Sequence, residues 1–148
     1  MNEFEILEYA QSSFQQNAAY LLVVIILICL NFYLIRRARE TNMPVYGKAI
    51  TTIFGLMSVN FGWLVGSFLY NTQINMAFRL TELKNSGINI SAASESLIEF
   101  FGNPTTPSAG NTPDAPTMIF WGIISLMLIL GMWAPAPEGL MIKNNLTN

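Results

Sequence analysis

The chain has no histidine and a single cysteine, Cys29. Without histidine there is no Ser-His-Asp triad and no imidazole site for haem or metal. One cysteine cannot close a disulfide within the chain or build a cysteine-based zinc or iron–sulfur centre. Charge is scarce as well. Only 11% of residues are charged and 52% are hydrophobic, where a soluble domain averages about 25% charged. A formal net charge of −2 excludes the basic surface that nucleic acid requires. No phosphate-cradling glycine motif is present, because the clustered glycines lie in an apolar run and follow no strand. Every Asp and Glu falls outside the apolar runs, whereas proton relays carry ionisable groups inside the membrane. Glu95 and Glu99 share a helical face and read as a solvated pair. The methionines, among them Met57, Met76, Met118, Met127 and Met132, show no ligand spacing and read as packing residues. No metal or cofactor is expected, and the chain is not read as an enzyme.

What is present is three long apolar runs. The central one, Ala49 to Tyr70, carries no charge and is long enough to cross a hydrocarbon core of about 30 Å. Thr51, Gly55, Ser58, Gly62 and Gly66 follow at spacings of three or four and form one stripe. In lipid such a stripe lets a second helix approach closely, and Gly62 to Gly66 has the GxxxG form. The plainer explanation is that glycine is common in membrane helices. Small residues grouped on one stripe favour packing, against a helix of this chain or of another copy. Ile53, Phe54, Val59, Phe61 and Leu64 are expected on the opposite side, toward lipid.

The first span is 18–35. Cys29 within it reads as a buried packing residue. Asn31 could bond across helices, but the default expectation is that it reaches the interface. Before it, residues 1–17 carry Phe4, Leu7, Ala10 and Phe14 at helical spacing. They predict an outward-facing helix, lying at the interface or extending the span. Glu3, Glu5 and Glu8 argue for docking on protein rather than on anionic lipid. After the span, Arg36, Arg37, Arg39 and Lys48 crowd a connection predicted over 36–48. The positive-inside rule makes that loop cytoplasmic; recruitment of acidic headgroups is the weaker alternative. The N-terminus then faces outward and the tail, 135–148, is cytoplasmic.

Beyond Tyr70 the pattern predicts a helix continuing to Lys84, ended by Asn85-Ser86-Gly87. Within the outer segment 85–116 a short amphipathic helix is expected over 91–101, with Ser91 as its cap. Its apolar patch, Leu97, Ile98, Phe100 and Phe101, needs a cover of lipid or protein. Residues 102–117 hold four prolines and two glycines and predict an irregular loop, either a binding loop or a surface strap. The third span is 117–134, with Trp121 and Trp133 read as interfacial anchors. Asn89 and Asn145 begin glycosylation tripeptides, which are short, common matches of little weight.

The fold expectation is an all-α integral membrane protein with three transmembrane helices. The second helix extends beyond the bilayer, over 49–84, and a short outer amphipathic helix and a Pro/Gly-rich loop complete the fold. The expected location is a bacterial inner membrane, with the N-terminus outside and the C-terminus cytoplasmic. The function expected is that of a non-catalytic accessory or structural subunit of a larger membrane complex. Its partners would be membrane lipid and other transmembrane subunits or copies of itself, with no nucleic acid. The alternative is a self-assembling, holin-like pore lined by Thr51, Thr52, Ser58, Asn60 and Ser67.

Overall fold

A computed structural model describes residues 2–135. The expectations for the tail beyond Pro135, and for Asn145, therefore lie outside the described residues. Four helices follow in order: α1 (Glu3–Glu40), α2 (Val45–Asn85), α3 (Ala92–Phe100) and α4 (Ala115–Trp133). Three of them, α1, α2 and α4, are long and apolar enough to cross a membrane.

Helix α1 starts at Asn2, whose side chain accepts from the Glu5 amide at 2.9 Å while Glu5 accepts from the Asn2 amide at 3.0 Å. This reciprocal capping box satisfies two of the helix's open donors. From there α1 runs unbroken for 38 residues. The N-terminal segment is thus continuous with the first apolar run and not a separate helix. Its buried residues Ala10, Asn17, Val24, Asn31 and Ala38 recur at sevens. That is the repeat of helices packed in a left-handed supercoil. The register rotates the predicted N-terminal stripe: Ile6 and Ala10 turn inward, and Phe4 and Leu7 face out.

The basic connection is shorter than expected. Arg36, Arg37 and Arg39 lie in the last turns of α1, and only residues 41–44 link it to α2. Asn42 takes a left-handed φ of 49°, and Pro44 then caps the start of α2. Helix α2 is 41 residues long, about 62 Å at 1.5 Å per residue, so its outer end stands clear of a bilayer. It stops at Ser86, followed by Gly87 at φ +84°, the left-handed residue that commonly ends a helix.

Two apolar clusters hold the helices together. At membrane level Val24, Ile35 and Ala38 of α1 meet Val59 and Val65 of α2 and Trp121, Leu128 and Met132 of α4. In the outer half Ile6, Leu80, Leu83 and Ile98 close a second cluster between α1, α2 and α3. Val59 therefore faces the core, although Ile53, Phe54, Phe61 and Leu64 of the expected lipid side are exposed. Cys29 is exposed too, contrary to expectation, because the seven-residue register points Asn31, not Cys29, at α2.

Candidate functional site

The small-residue stripe of α2 is occupied by helices of the same chain. A Cβ on Gly62 would stand 2.4 Å from the Trp121 ring, and one on Gly66 would stand 2.7 Å from the Thr117 methyl. At Gly55 the nearest atoms are Asn31 Oδ1 at 3.1 Å and Leu128 Cδ1 at 3.2 Å. Rising α2 numbers meet falling α4 numbers, so the two helices run antiparallel. Trp121 is 5% exposed, which overturns its reading as an interfacial anchor: its ring fills the notch left by Gly62. Trp133 stays half exposed and donates Nε1 to Thr52 Oγ1 at 3.0 Å. Thr51, at the end of the stripe, donates its hydroxyl to the Gly47 carbonyl.

Between Gly55 and Gly62 sits a polar layer. Asn31 is fully buried and donates Nδ2 to Ser58 Oγ at 3.1 Å and to the Leu27 carbonyl at 2.8 Å. Ser58 passes its own proton to the Phe54 carbonyl at 2.9 Å. Asn31 therefore bonds across helices and does not reach the interface. The glycine at 55 leaves room for its amide.

Arg39 reaches across to α4. Its Nε donates to the Gly131 carbonyl at 2.5 Å, and Nη2 donates to the Ala134 and Leu130 carbonyls at 2.8 and 3.3 Å. They lie at the C-terminus of α4, where the last carbonyls lack helix partners, although Leu130 O also accepts from the Ala134 amide, and where the helix dipole favours a cation. The other basic residues stay local. Arg36 and Arg37 pair with Glu40, and Lys48 stands in the first turn of α2.

In the outer half a row of side chains four residues apart on α2 carries the 102–117 loop. Trp63 Nε1 and Ser67 Oγ each donate to the Asn111 carbonyl at 2.9 Å. Asn71 donates to the Gly110 carbonyl and accepts from Ser108 Oγ at 2.6 Å. Asn75 exchanges two bonds with the Ser108 backbone, at 3.0 and 2.7 Å. The loop is thus a strap laid antiparallel along α2 and leading into α4. Prolines leave such a segment rich in carbonyls and poor in amide donors, so the helix must supply the donors.

A second outer clasp joins α1 to the start of α3. The Glu3 carboxylate accepts from the Ser91 amide, from Ser91 Oγ at 2.5 Å and from Ser94 Oγ at 2.6 Å. Ser91 also caps α3 by accepting from the Ser94 amide. The Ser91 and Ser94 hydroxyls hold the Glu3 carboxyl below its usual pKa. Lys84 pairs with Glu95 at 2.8 Å, and that hydrogen bond and charge raise the lysine's pKa. Arg79 lies 5.2 Å above the Tyr9 ring.

The predicted outer patch divides. Ile98 is buried in the outer cluster and Leu97 packs on it. Phe100 remains 81% exposed, its ring edge-to-face with half-buried Phe101 at 5.0 Å. Both line a groove of about 800 Å³ with Phe14, Tyr70 and Met76, which reaches Gly66 and Thr117 at the head of α4. On the other side of α2 a groove of about 830 Å³ runs from Ile6 and Tyr9 to Pro107, with Asn75, Arg79 and Glu82 in its wall. Among the described residues no three His, Cys, Asp or Glu side chains gather as a metal site.

The strap ladder and the Arg39 cap escaped the sequence reading. Trp63, Ser67, Asn71 and Asn75 do stand at spacings of four, and that polar row was the available signal.

No family model, no curated protein and no solved structure matches this chain.

Proposed function

We propose that this protein is a non-catalytic accessory or structural subunit of a larger integral membrane complex. It would act as a rigid three-span unit that presents outer surfaces to neighbouring subunits. The observation that carries this reading is the destination of the polar side chains. Asn31, Ser58, Trp63, Ser67, Asn71, Asn75 and Arg39 all bind the chain's own elements. Thr51 and Thr52 likewise donate to helix carbonyls. Of the five residues the pore reading needs, Thr51, Thr52, Ser58 and Ser67 are bonded to the chain's own elements and, among the described residues, Asn60 alone is not, so the pore reading has less support. The exposed Phe100 and its neighbouring groove offer the docking surface.

A bacterial inner membrane with the N-terminus outside is the proposed setting. The arginines at the C-terminal end of α1 support that orientation. Partners would be other transmembrane subunits and lipid. The test is mild-detergent extraction of the tagged chain from its native membrane, followed by mass spectrometry. A stoichiometric set of other membrane proteins is expected, reduced by Phe100→Ser. Recovery of this chain with lipid alone would sink the proposal.

A further inference from the structure

One face of α2 has no partner among the described residues. Tyr46, Ile50, Ile53, Met57, Asn60 and Leu64 are all exposed, and their spacings alternate four and three. At 100° per residue this row lies opposite buried Gly55, Ser58 and Gly62. The same alternation forms the seam of two helices packed knobs-into-holes. Lipid can cover its aliphatic members, but not Asn60 without cost. Asn60 stands midway along the apolar run Ala49–Tyr70 and its amide makes no hydrogen bond among the described residues. An amide facing hydrocarbon loses its water partners, and a neighbouring helix is the available source of replacements.

We infer that this face is a homodimer interface in which Asn60 pairs with Asn60 of a second copy near mid-bilayer. Three points select a second copy over any other occupant. Copies inserted the same way hold identical residues at identical depth, so the amides meet without further adjustment. An asparagine amide both donates and accepts, so it is self-complementary across a two-fold axis. A single asparagine in an apolar seam of this repeat also fixes register and favours two strands. The inference rests on the proposed membrane subunit reading and adds that the subunit enters its assembly as a pair.

Oxidative cross-linking of the full chain in native membranes tests it. Cys29 is exposed and is first replaced in a Cys29→Ser background. Met57→Cys in that background reports on the seam, and Met127→Cys on the exposed side of α4 serves as the control. The expected result is a homodimer through position 57 and little through 127. Adding Asn60→Leu should lower the dimer fraction about three- to tenfold, as loss of an interhelical hydrogen bond implies, and Asn60→Gln should restore part of it. No dimer at 57, equal dimer at 127, an adduct of another mass, or indifference to Asn60→Leu would each overturn the inference. Co-purification of other subunits is read separately, so failure of the pair and failure of the subunit reading are distinguishable.

Discussion

The membrane-level half of the molecule and its outer half are built from the same two long helices, yet they cohere by different means. At membrane level the apolar cluster around Val24 and Leu128 is joined by close approaches, Gly62 on Trp121 and Gly66 on Thr117, and by one buried Asn31–Ser58 bond. Lipid tails are as apolar as the side chains they would replace, so close fit and hydrogen bonds must hold these helices. In the outer half water is available. There Leu80 and Ile98 are buried with Ile6 in an apolar cluster, and hydroxyl and carboxylate clasps trim its edge. The contrast shows how one continuous helix changes its buried face along its length: α2 buries glycine, serine and valine within the apolar run, and alanine and leucine beyond it.

Four substitutions or conditions sharpen that contrast. Leu80→Ala should be the most damaging, because a fully buried side chain leaves a cavity costing about 2–5 kcal/mol. Hydrogen exchange should quicken in residues 3–14 and in α3 while the membrane half keeps its protection. Gly62→Leu should follow, by overpacking of about 1–3 kcal/mol or more. Thermal unfolding in detergent would read the loss, and Trp121→Ala in the same chain should recover part of it. Asn31→Leu should cost less, about 0.6 kcal/mol and at most about 1.7 kcal/mol, the span measured for interhelical hydrogen bonds in membranes. Ser58 keeps its own bond to the Phe54 carbonyl in that variant, which limits the damage.

The smallest effect is the titration of the outer clasp. Glu3 has a lowered pKa in the folded chain, so its contribution is present above the usual carboxylate range and is lost as pH falls through the folded value. Lys84 has a raised pKa, so its contribution is complete below the usual lysine value and is lost as pH rises through the folded one. Exchange of the Ser91 amide should therefore gain protection between strong acid and neutrality, and Glu3→Gln should flatten that rise.

Three helices long and apolar enough to cross a membrane, the continuation of α2 past Tyr70, Gly87 after its end and Ser91 as the α3 cap are all legible from spacing and composition. Rotation about the helix axes was less so. Cys29 and Asn31 are two residues apart and so face opposite sides of α1, and a span that is apolar all round does not record which side turns inward. Trp121 looked interfacial because tryptophan favours that depth, and only the facing glycine shows why it turns inward. The strap was undecided because its bonds are to backbone carbonyls, whose positions no side-chain pattern records. Arg39 combines a topology signal with a contact to α4 residues more than ninety positions away, and charge counting sees only the first.

The glycine stripe of α2 closes on α4 of the same chain. Quenching of Trp121 emission by brominated lipid tests it most directly, in a reconstituted Trp63→Phe, Trp133→Phe chain. Phe120→Trp in a chain that also carries Trp121→Phe provides the lipid-facing comparison, since Phe120 is 54% exposed. The account predicts that Trp121 resists quenching at every bromine depth while the tryptophan at position 120 is strongly quenched. Equal quenching of the two would contradict it, because Trp121 would then face lipid and the stripe would be open to another molecule.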